Sequence, residues 1–291
     1  MKRDAGETRA LGALLGELTA GLEGAGVTLA RDEARDIVAA VLDVPRFWPS
    51  ANKHTLIDAT AVDEARKAAA ARARGAPFAY AVGRAAFRHL TLAVDERVLI
   101  PRQETEVLVD LVLEAQDGGR GTVVDVGTGS GAIALALATE GLFDRVVGTD
   151  VSLDALIVAE RNAAFLRDEL RAPVEFLHGS LLAPLAGMRM QAVVSNPPYI
   201  AFAELDELPP SVRDWEPPLA LLSADEGLAA TRSIVRESAA VLEPNGLLAL
   251  EVDTRRASLV AEAVATDGSY GDVVVHLDLT GRERFVLARR R

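Results

Sequence analysis

An amide side chain, two consecutive prolines and an aromatic ring form one short stretch that could hold a planar nitrogen group. The stretch ends an apolar run and consists of Asn196, Pro197, Pro198 and Tyr199. Proline fixes φ near about −65° and has no N–H, so the Asn196 side-chain oxygen and the Pro197 carbonyl are two acceptors held at a fixed angle. They match the two donors of an NH2 group, and the Tyr199 ring can stack on the plane behind that nitrogen. The stretch favours attack by an amide or aromatic amine on an electrophile, with a proline-rich turn as the alternative.

A glycine-rich loop indicates what the nitrogen could attack. It connects an apolar run to a helical pattern and consists of Gly127, Thr128, Gly129, Ser130 and Gly131. Glycines permit positive φ and close approach of a ligand, and the helix that follows begins with unpaired N–H groups. Asp150 ends the next apolar run, where an acid can accept hydrogen bonds from both hydroxyls of a ribose. The pair predicts an adenosine-type ligand, and a tight turn without a ligand is the alternative.

The charge beside this loop helps to decide which adenosine-type ligand could bind. Asp125 precedes the loop by two residues, and the spacing is G-x-G-x-G rather than the G-x-G-x-x-G of dinucleotide folds. A carboxylate there disfavours a pyrophosphate and favours a cation. S-adenosyl-L-methionine carries a sulfonium and an ammonium, whereas NAD carries phosphates. The sequence therefore predicts S-adenosylmethionine as the cofactor and its methyl group as the electrophile.

The composition excludes several other classes of protein. The chain has 291 residues, of which 49% are hydrophobic and 25% are charged, which is enough apolar material for a core. A net charge of −12 argues against a general binder of nucleic acids or anionic membranes, because its field repels phosphate. The absence of cysteine excludes disulfides and thiolate chemistry. No metal site is expected, because no zinc-like spacing connects the histidines, which are His54, His89, His178 and His276.

The first residues do not resemble a targeting segment. Their apolar stretch is interrupted by Glu7, Glu17 and Glu23, so it is too broken for a signal peptide and too short for a membrane span. We therefore expect a soluble cytoplasmic protein.

The elements that must position these residues fall into two unlike parts. Residues 1–76 are predicted to be helical, and one helical face carries Leu11, Leu14, Leu15, Leu18 and Leu22. Residues 77–100 shift toward β-branched and aromatic residues with turn signals, which predicts a β-hairpin linker.

Residues 101–291 alternate strand and helix patterns. The predicted strands are GTVVDV, RVVGTD, PVEFLH, QAVVSN, GLLALEV, DVVVHLD and RFVLARR. Near-continuous apolar strands with helical crossovers indicate an α/β fold with a mainly parallel sheet that is covered on both faces. The last two strands follow each other without a helix, which predicts an antiparallel edge.

The glycine loop, Asp150 and SNPPYI together resemble class I S-adenosylmethionine-dependent methyltransferases, a Rossmann-like fold with a seven-stranded sheet. The N-P-P-Y corner occurs in members that methylate planar amines of DNA adenine, RNA guanine or glutamine. Further stretches resemble the HemK/PrmC family, the release factor glutamine (N5) methyltransferases, over about residues 30–291. They are RGAPFAYAVGRAAFRHLTLAVDERVLIPRQETEVLVDLVL, DWEPPLALLSADEGLAATRSIV and GRERFVLAR.

This resemblance implies a reaction and a partner. The reaction is methylation of the glutamine side chain in the Gly-Gly-Gln motif of class I peptide-chain release factors, and the N-terminal helices help to grip that protein. The family's cofactor contacts correspond to the glycine loop, Asp150, Leu181 and Asn196. Its catalytic and substrate-binding segment corresponds to Asn196, Pro197, Pro198 and Tyr199.

Some positions depart from the family pattern. Gln103 replaces the second proline of P-R-P-E-T-E, although Pro101 can still begin the helix and Glu104 and Glu106 still complement its N-terminus. Whether these two carboxylates also act at the mouth of the site stays open. Ser180 stands where an acid is common, which leaves the adenine contacts at 180 and 181 unassigned. Asp253 replaces a glycine, and we expect a loop change without catalytic effect.

Three alternatives remain. A ribosomal-protein glutamine methyltransferase shares the N-P-P-Y corner but typically has cysteine where this chain has Gly127. A DNA or RNA amine methyltransferase must extrude a base and needs a basic groove, which a −12 chain without a basic, aromatic patch does not indicate. A non-catalytic adenosine-binding protein would have no use for an intact N-P-P-Y corner.

Overall fold

A computed structural model describes residues 8–116 and 118–291 of the chain. These residues form two units. Unit 1 combines the chain up to Arg84 with Pro210–Trp215, and unit 2 combines Ala85–Pro209 with Glu216–Arg291. The division after Arg84 falls inside the predicted linker. No sequence pattern indicated that Pro210–Trp215 belongs with the N-terminal helices.

Unit 1 is a small helical unit with a leucine and alanine core. Leu11, Leu14, Leu18 and Leu22 recur along one face of the first helix and are buried against alanines of the next helices. Leu15 is only partly buried. The fourth helix begins where the Asp58 carboxylate accepts a hydrogen bond from the Ala61 N–H at 2.9 Å. The elements of the N-terminal stretch are β1 Arg9–Ala10, α1 Leu11–Gly24, α2 Ala30–Leu42, α3 Trp48–Ala51, β2 Leu56–Ile57, α4 Ala59–Ala73 and α5 Phe78–Val82.

The predicted β structure of residues 77–100 is wrong for its first part. Phe78–Val82 is a short helix that begins after Pro77 and ends at Gly83, whose φ is 71°. Phe78, Ala81 and Val82 are partly buried against the helical core of unit 1, so tertiary packing overrides the β propensity of this stretch. The hairpin is confined to β3, Arg84–Phe87, and β4, Leu90–Ala93.

A seven-stranded sheet forms unit 2, and its order is β12-β13-β11-β8-β5-β6-β7. The central strands are parallel, whereas β13 is antiparallel to both β11 and β12. All seven strands and the antiparallel edge agree with the prediction, and the fold class is confirmed. The strands are β5 Thr122–Val126, β6 Arg145–Asp150, β7 Val174–His178, β8 Met190–Ser195, β11 Leu242–Glu251, β12 Tyr270–Leu277 and β13 Glu283–Arg290.

Helices cover both faces of this sheet. Alternate residues of each strand point to opposite faces, so Val123 joins one buried cluster with α6 and α7, and Val124 joins another with α12 and α13. The helices and short strands are α6 Gln103–Ala115, α7 Ala132–Glu140, α8 Leu153–Phe165, β9 Ile200–Ala201, α9 Pro210–Arg213 (unit 1), α10 Pro218–Leu221, β10 Leu222–Ser223, α11 Ala224–Gly227, α12 Ala229–Val241 and α13 Ala257–Asp267. Single 3-10 turns occupy Ala183–Leu185 and Phe202–Glu207. Among the described residues, no helix is both long enough and apolar enough to cross a membrane.

Candidate active site

A cavity of about 330 Å³ opens at the carboxyl edge of the sheet of unit 2. The chain order reverses between β5 and β8, and such a switch point is where open α/β sheets bind ligands. Six of the residues predicted from the sequence line this cavity, and they are Gly127, Gly129, Asp150, Leu181, Asn196 and Pro198.

The glycine loop leaves open space above its backbone. Gly127 and Gly129 have φ values of 73° and 54°, a region that residues with a Cβ rarely adopt. A Cβ placed on either glycine would meet no protein atom within 4 Å, so the cradle is free on the cavity side. The N–H groups of Gly127 and Thr128 both donate to the Thr149 carbonyl, at 2.8 and 2.9 Å, and fix the loop against β6.

Asp125 lies beneath this loop rather than in the cavity. It is 1% exposed, and its Oδ2 accepts hydrogen bonds from Thr128 Oγ1 at 2.7 Å and from the Ala134 N–H at 3.2 Å. Burial raises the pKa of this carboxyl to about 7. Asp125 therefore does not line the cavity, and any effect of its charge on a ligand acts from beneath the loop. The first turn of α7 already has a carboxylate from the protein itself, which leaves less room for a phosphate there.

Asp150 connects the glycine loop to the start of α8 and also faces the cavity. Its Oδ2 accepts from the Gly129 N–H and its Oδ1 accepts from the Ser152 N–H, both at 2.9 Å. A carboxylate oxygen can accept more than one hydrogen bond, so Asp150 keeps acceptor capacity for ligand hydroxyls while it holds the loop.

Leu181 presents its backbone in an unusual conformation. Its φ is 48°, and its carbonyl accepts from Thr149 Oγ1 at 2.8 Å. A left-handed leucine costs about 1–2 kcal/mol, and such strain tends to occur at functional sites. Ser180, which departs from the family pattern, lines the cavity beside it.

The N-P-P-Y corner follows β8 and reaches the same cavity. Asn196 Nδ2 donates to Thr105 Oγ1 at 3.1 Å, Pro197 is buried, and Pro198 faces the cavity. Burial raises the pKa of Tyr199 to about 12, so its hydroxyl stays protonated. A Cβ on Gly227 would collide with the Tyr199 carbonyl, so the backbone of the corner is held from behind by a glycine.

Five of the predicted site residues do not line the cavity. Thr128 and Ser130 are buried. The Thr128 hydroxyl donates a hydrogen bond to Asp125, and the Ser130 carbonyl accepts one from Asn162 Nδ2 at 2.9 Å. Gly131 packs against side chains of the adjoining elements. Pro197 and Tyr199 are not lining residues, although their neighbours Asn196 and Pro198 are. The individual roles of all the predicted site residues stay predictions.

Sequence reasoning missed the lining residues Val151, Ser152 and Ala155 at the start of α8, two further segments and two polar side chains. The segments lie near 97–99 and 217–224, and both belong to stretches quoted above only for their family resemblance. Glu216 connects them, since it is 3% exposed and accepts from Arg102 Nη2 at 2.6 Å and from the Ile100 N–H at 3.3 Å. The missed side chains are Thr105 and Glu251. An acid that ends the otherwise apolar strand GLLALEV was the one available signal for Glu251.

The residues present fit S-adenosylmethionine. The open space above the glycine loop can admit a ligand that approaches the protein backbone closely. Asp150 offers acceptors suited to ribose hydroxyls. The other lining residues include apolar side chains, among them Leu99, Leu219 and Leu222.

Comparisons with known proteins identify the family of this chain. Family models for the PrmC N-terminal domain and the methyltransferase small domain match residues 13–83 and 103–207. The release factor glutamine methyltransferase of Moorella thermoacetica is 41% identical over 278 residues, which cover 95% of this chain and 97% of the relative. The protein of the same name from Deinococcus radiodurans is 39% identical over the same shares of the two chains.

Solved structures show the same fold at much lower identity. A methyltransferase from Pyrococcus furiosus superposes with a TM-score of 0.51 and 15% identity, covering 70% of this chain and 90% of that one. The hMettl16 catalytic domain, solved in complex with the MAT2A 3'UTR hairpin 6, gives a TM-score of 0.52 and 15% identity, covering 81% and 84%.

Proposed function

Because the chain belongs to the release factor glutamine methyltransferase family, we propose that it methylates the glutamine of the Gly-Gly-Gln motif in class I peptide-chain release factors. The acceptor is the side-chain amide nitrogen of that glutamine, and the reaction prepares the factor for translation termination. The chain is an S-adenosylmethionine-dependent enzyme, and the cofactor supplies a methyl group made electrophilic by its sulfonium.

The cofactor wall and the substrate wall have separate tasks. Gly127 and Gly129 offer backbone to the cofactor, Asp150 offers acceptors for its ribose hydroxyls, and the left-handed Leu181 shapes the adenine side. The substrate amide lies against Asn196 and the prolines. This division keeps the two reacting groups on facing sides of one cavity, which supplies much of the rate by orientation.

Asn196 and Pro197 act on the substrate nitrogen by accepting its hydrogens. An amide nitrogen is a poor nucleophile because its lone pair is delocalised into the carbonyl. Two acceptors that bind both N–H groups add electron density to the nitrogen and turn its lone pair toward the methyl group. Methyl transfer converts NH2 to NH(CH3), and the proton that is lost passes to solvent. We propose that the Tyr199 ring stacks on the plane of the substrate amide.

One observation carries this proposal. The Asn196 NH2 group donates to Thr105, and among residues 8–116 and 118–291 no donor contacts the Asn196 Oδ1. The residue is half-buried and lines the cavity, so this oxygen is available to a substrate NH2.

The partner we propose is a protein. Unit 1 carries the match to the PrmC N-terminal domain, and we propose that residues 1–76 dock the release factor while residues 77–100 link them to the methyltransferase domain of residues 101–291. A cytoplasmic enzyme that needs no nucleic acid fits the net charge of −12.

A side-by-side transfer assay tests the proposal. Radiolabelled methyl transfer is measured to a purified class I release factor, to ribosomal protein and to DNA. We expect label on the release factor alone, and none when the motif glutamine is replaced by alanine. Preferential labelling of ribosomal protein or DNA would overturn the substrate assignment.

A further inference from the structure

Three polar side chains from three elements are connected by hydrogen bonds, and one of them, Asn196, lines the cavity. Asn196 follows β8, Glu251 ends β11, and Thr105 lies in the first turn of α6. Leu250 is paired with Ser195 at the end of the parallel register, and Glu251 and Asn196 are the residues that directly follow this pair. Thr105 is 4% exposed and Glu251 is 1% exposed, so water does not compete for their hydrogen bonds.

The hydrogen bonds between them have a defined direction. Thr105 Oγ1 donates to Glu251 Oε2 at 2.7 Å, and Asn196 Nδ2 donates to Thr105 Oγ1 at 3.1 Å. A hydroxyl has one proton, and a carboxylate has none to give. When Thr105 donates to an ionised Glu251, it can only accept from Asn196. The group of Asn196 that faces Thr105 must then be the NH2, and its oxygen must face the cavity.

We propose that Glu251 and Thr105 are positioning residues that set the orientation of the Asn196 amide and aim its oxygen at the substrate nitrogen. This inference rests on the proposed acceptor role of Asn196. The two orientations of an amide differ only in which end carries the oxygen, so packing alone does not select one of them. The flipped amide would face the substrate NH2 with another NH2, and the acceptor would be lost.

The protonation state of Glu251 determines whether the hydrogen bonds from Asn196 to Thr105 and from Thr105 to Glu251 keep this direction. Burial raises the pKa of this carboxyl to about 7, against the hydrogen bond from Thr105. The charged and titratable groups that act on it from the adjoining elements are Arg284, Glu104, Arg102 and Tyr199. A protonated Glu251 can donate to Thr105, which frees the threonine proton for Asn196 and removes the preference. Orientation is therefore secure above this pKa and is lost as the pH falls through it.

Two variants of Thr105 separate this role from simple packing. Thr105→Val keeps the shape and removes the hydroxyl, whereas Thr105→Ser keeps the hydroxyl and removes a methyl group. We expect single-turnover methyl transfer at saturating cofactor to fall about 10- to 100-fold in Thr105→Val and to stay within about threefold of wild type in Thr105→Ser. Cofactor affinity, measured by calorimetry, should not change in either variant. A packing role predicts the reverse order, and an equal or larger loss in Thr105→Ser would overturn the inference.

The pH profile of the transfer step supplies the second readout. The wild-type and Thr105→Ser rates should decrease as the pH falls below about 7, the value at which Glu251 gains its proton. Thr105→Val and Glu251→Gln should lack this decrease in rate at low pH (the acidic limb). Thr105→Val has no hydroxyl, and Glu251→Gln has no carboxyl that can gain a proton. An unchanged limb in Thr105→Val would show that the titrating group does not act through Thr105.

Asn196→Ala distinguishes this inference from the function on which it rests. If Asn196→Ala keeps the wild-type transfer rate, the proposed acceptor itself is wrong. If Asn196→Ala loses the rate while Thr105→Val keeps it, Asn196 is the acceptor and only the positioning role fails.

Discussion

Among the described residues, only unit 2 buries carboxylates. In unit 1, carboxylates such as Glu33, which pairs with Arg72, lie nearer the surface. In unit 2, Asp125, Glu216 and Glu251 are at most 3% exposed, and Asp125 and Glu251 lie at the carboxyl ends of β5 and β11. Burying a carboxylate costs free energy that a surface pair avoids. The contrast indicates that buried carboxylates lower the stability of unit 2, whereas unit 1 has no such cost among its described residues.

Replacing Asn196 should produce the largest effect and tests the site side of this contrast. Asn196→Ala removes the acceptor and leaves a substrate donor unpaired in a confined cavity, so we expect single-turnover transfer to fall by about 100-fold or more. Asn196→Asp keeps an acceptor but adds charge, and it should be intermediate. Both variants are measured at saturating cofactor with folding checked by circular dichroism. A rate within twofold of wild type for Asn196→Ala would contradict the acceptor role.

Glu251→Gln tests whether the buried carboxylate costs stability. Its folded pKa of about 7 lies above the ordinary value of 4.5, so the folded state binds the proton more tightly than the unfolded chain. The contribution of Glu251 to stability is therefore most favourable below pH 4.5, decreases between about 4.5 and 7, and stays low above 7. The glutamine variant lacks this loss, so at pH 8 it should be more stable by up to about 3 kcal/mol and transfer methyl groups more slowly. Chemical denaturation at pH 8 and pH 4.5 checks it, and a difference that does not shrink at low pH would refute it.

Asp150→Ala should weaken cofactor binding rather than transfer at saturation. The variant loses acceptors for the ribose and also the carboxylate that holds the Gly129 N–H, so we expect a loss of about 1–3 kcal/mol in affinity. Calorimetry with S-adenosylmethionine measures this directly. Asp150→Asn serves as the matched control because it keeps one acceptor oxygen, and it should lose less. Unchanged affinity in Asp150→Ala would remove this residue from the cofactor site.

Glu33→Gln should have the smallest effect and tests the surface side of the contrast. Glu33 forms two hydrogen bonds with Arg72, at 2.6 and 2.8 Å, on a part-buried surface of unit 1. Partly exposed pairs contribute little, so we expect a loss of about 0.5–1 kcal/mol in the free energy of unfolding and no change in transfer rate. A change in transfer rate comparable to that of the site variants would show that unit 1 contributes to the chemistry.

The sequence predicted the features that depend on local pattern. The apolar runs specified all seven sheet strands, and the spacing of Gly127, Gly129 and Asp150 specified the cavity that they line. The sequence-based prediction was wrong where contacts between residues distant in the chain determine the local structure. Phe78–Val82 has a β-like composition, yet it forms a helix whose side chains pack, partly buried, against the core of unit 1.

The polar network of the site was beyond prediction for the same reason. Thr105, Asn196 and Glu251 are far apart in the sequence, and no spacing rule relates a helix turn to the ends of two strands. The sequence indicated Glu104 and Glu106 as candidates for the mouth of the site, but Thr105 between them forms the hydrogen bonds to Glu251 and Asn196. Glu106 instead accepts from the Arg88 N–H at 2.9 Å and secures the hairpin turn.

The helix behind the glycine loop has an unusual property. Every residue from Ala132 to Thr139 in α7 is buried, so this helix has no solvent face. Its amide protons should exchange with water only through large openings of unit 2, which makes it one of the slowest-exchanging segments. A loop that leads directly into such a helix has little conformational freedom left to lose. Cofactor binding at Gly127 and Gly129 should therefore proceed with a small entropic cost of ordering the backbone.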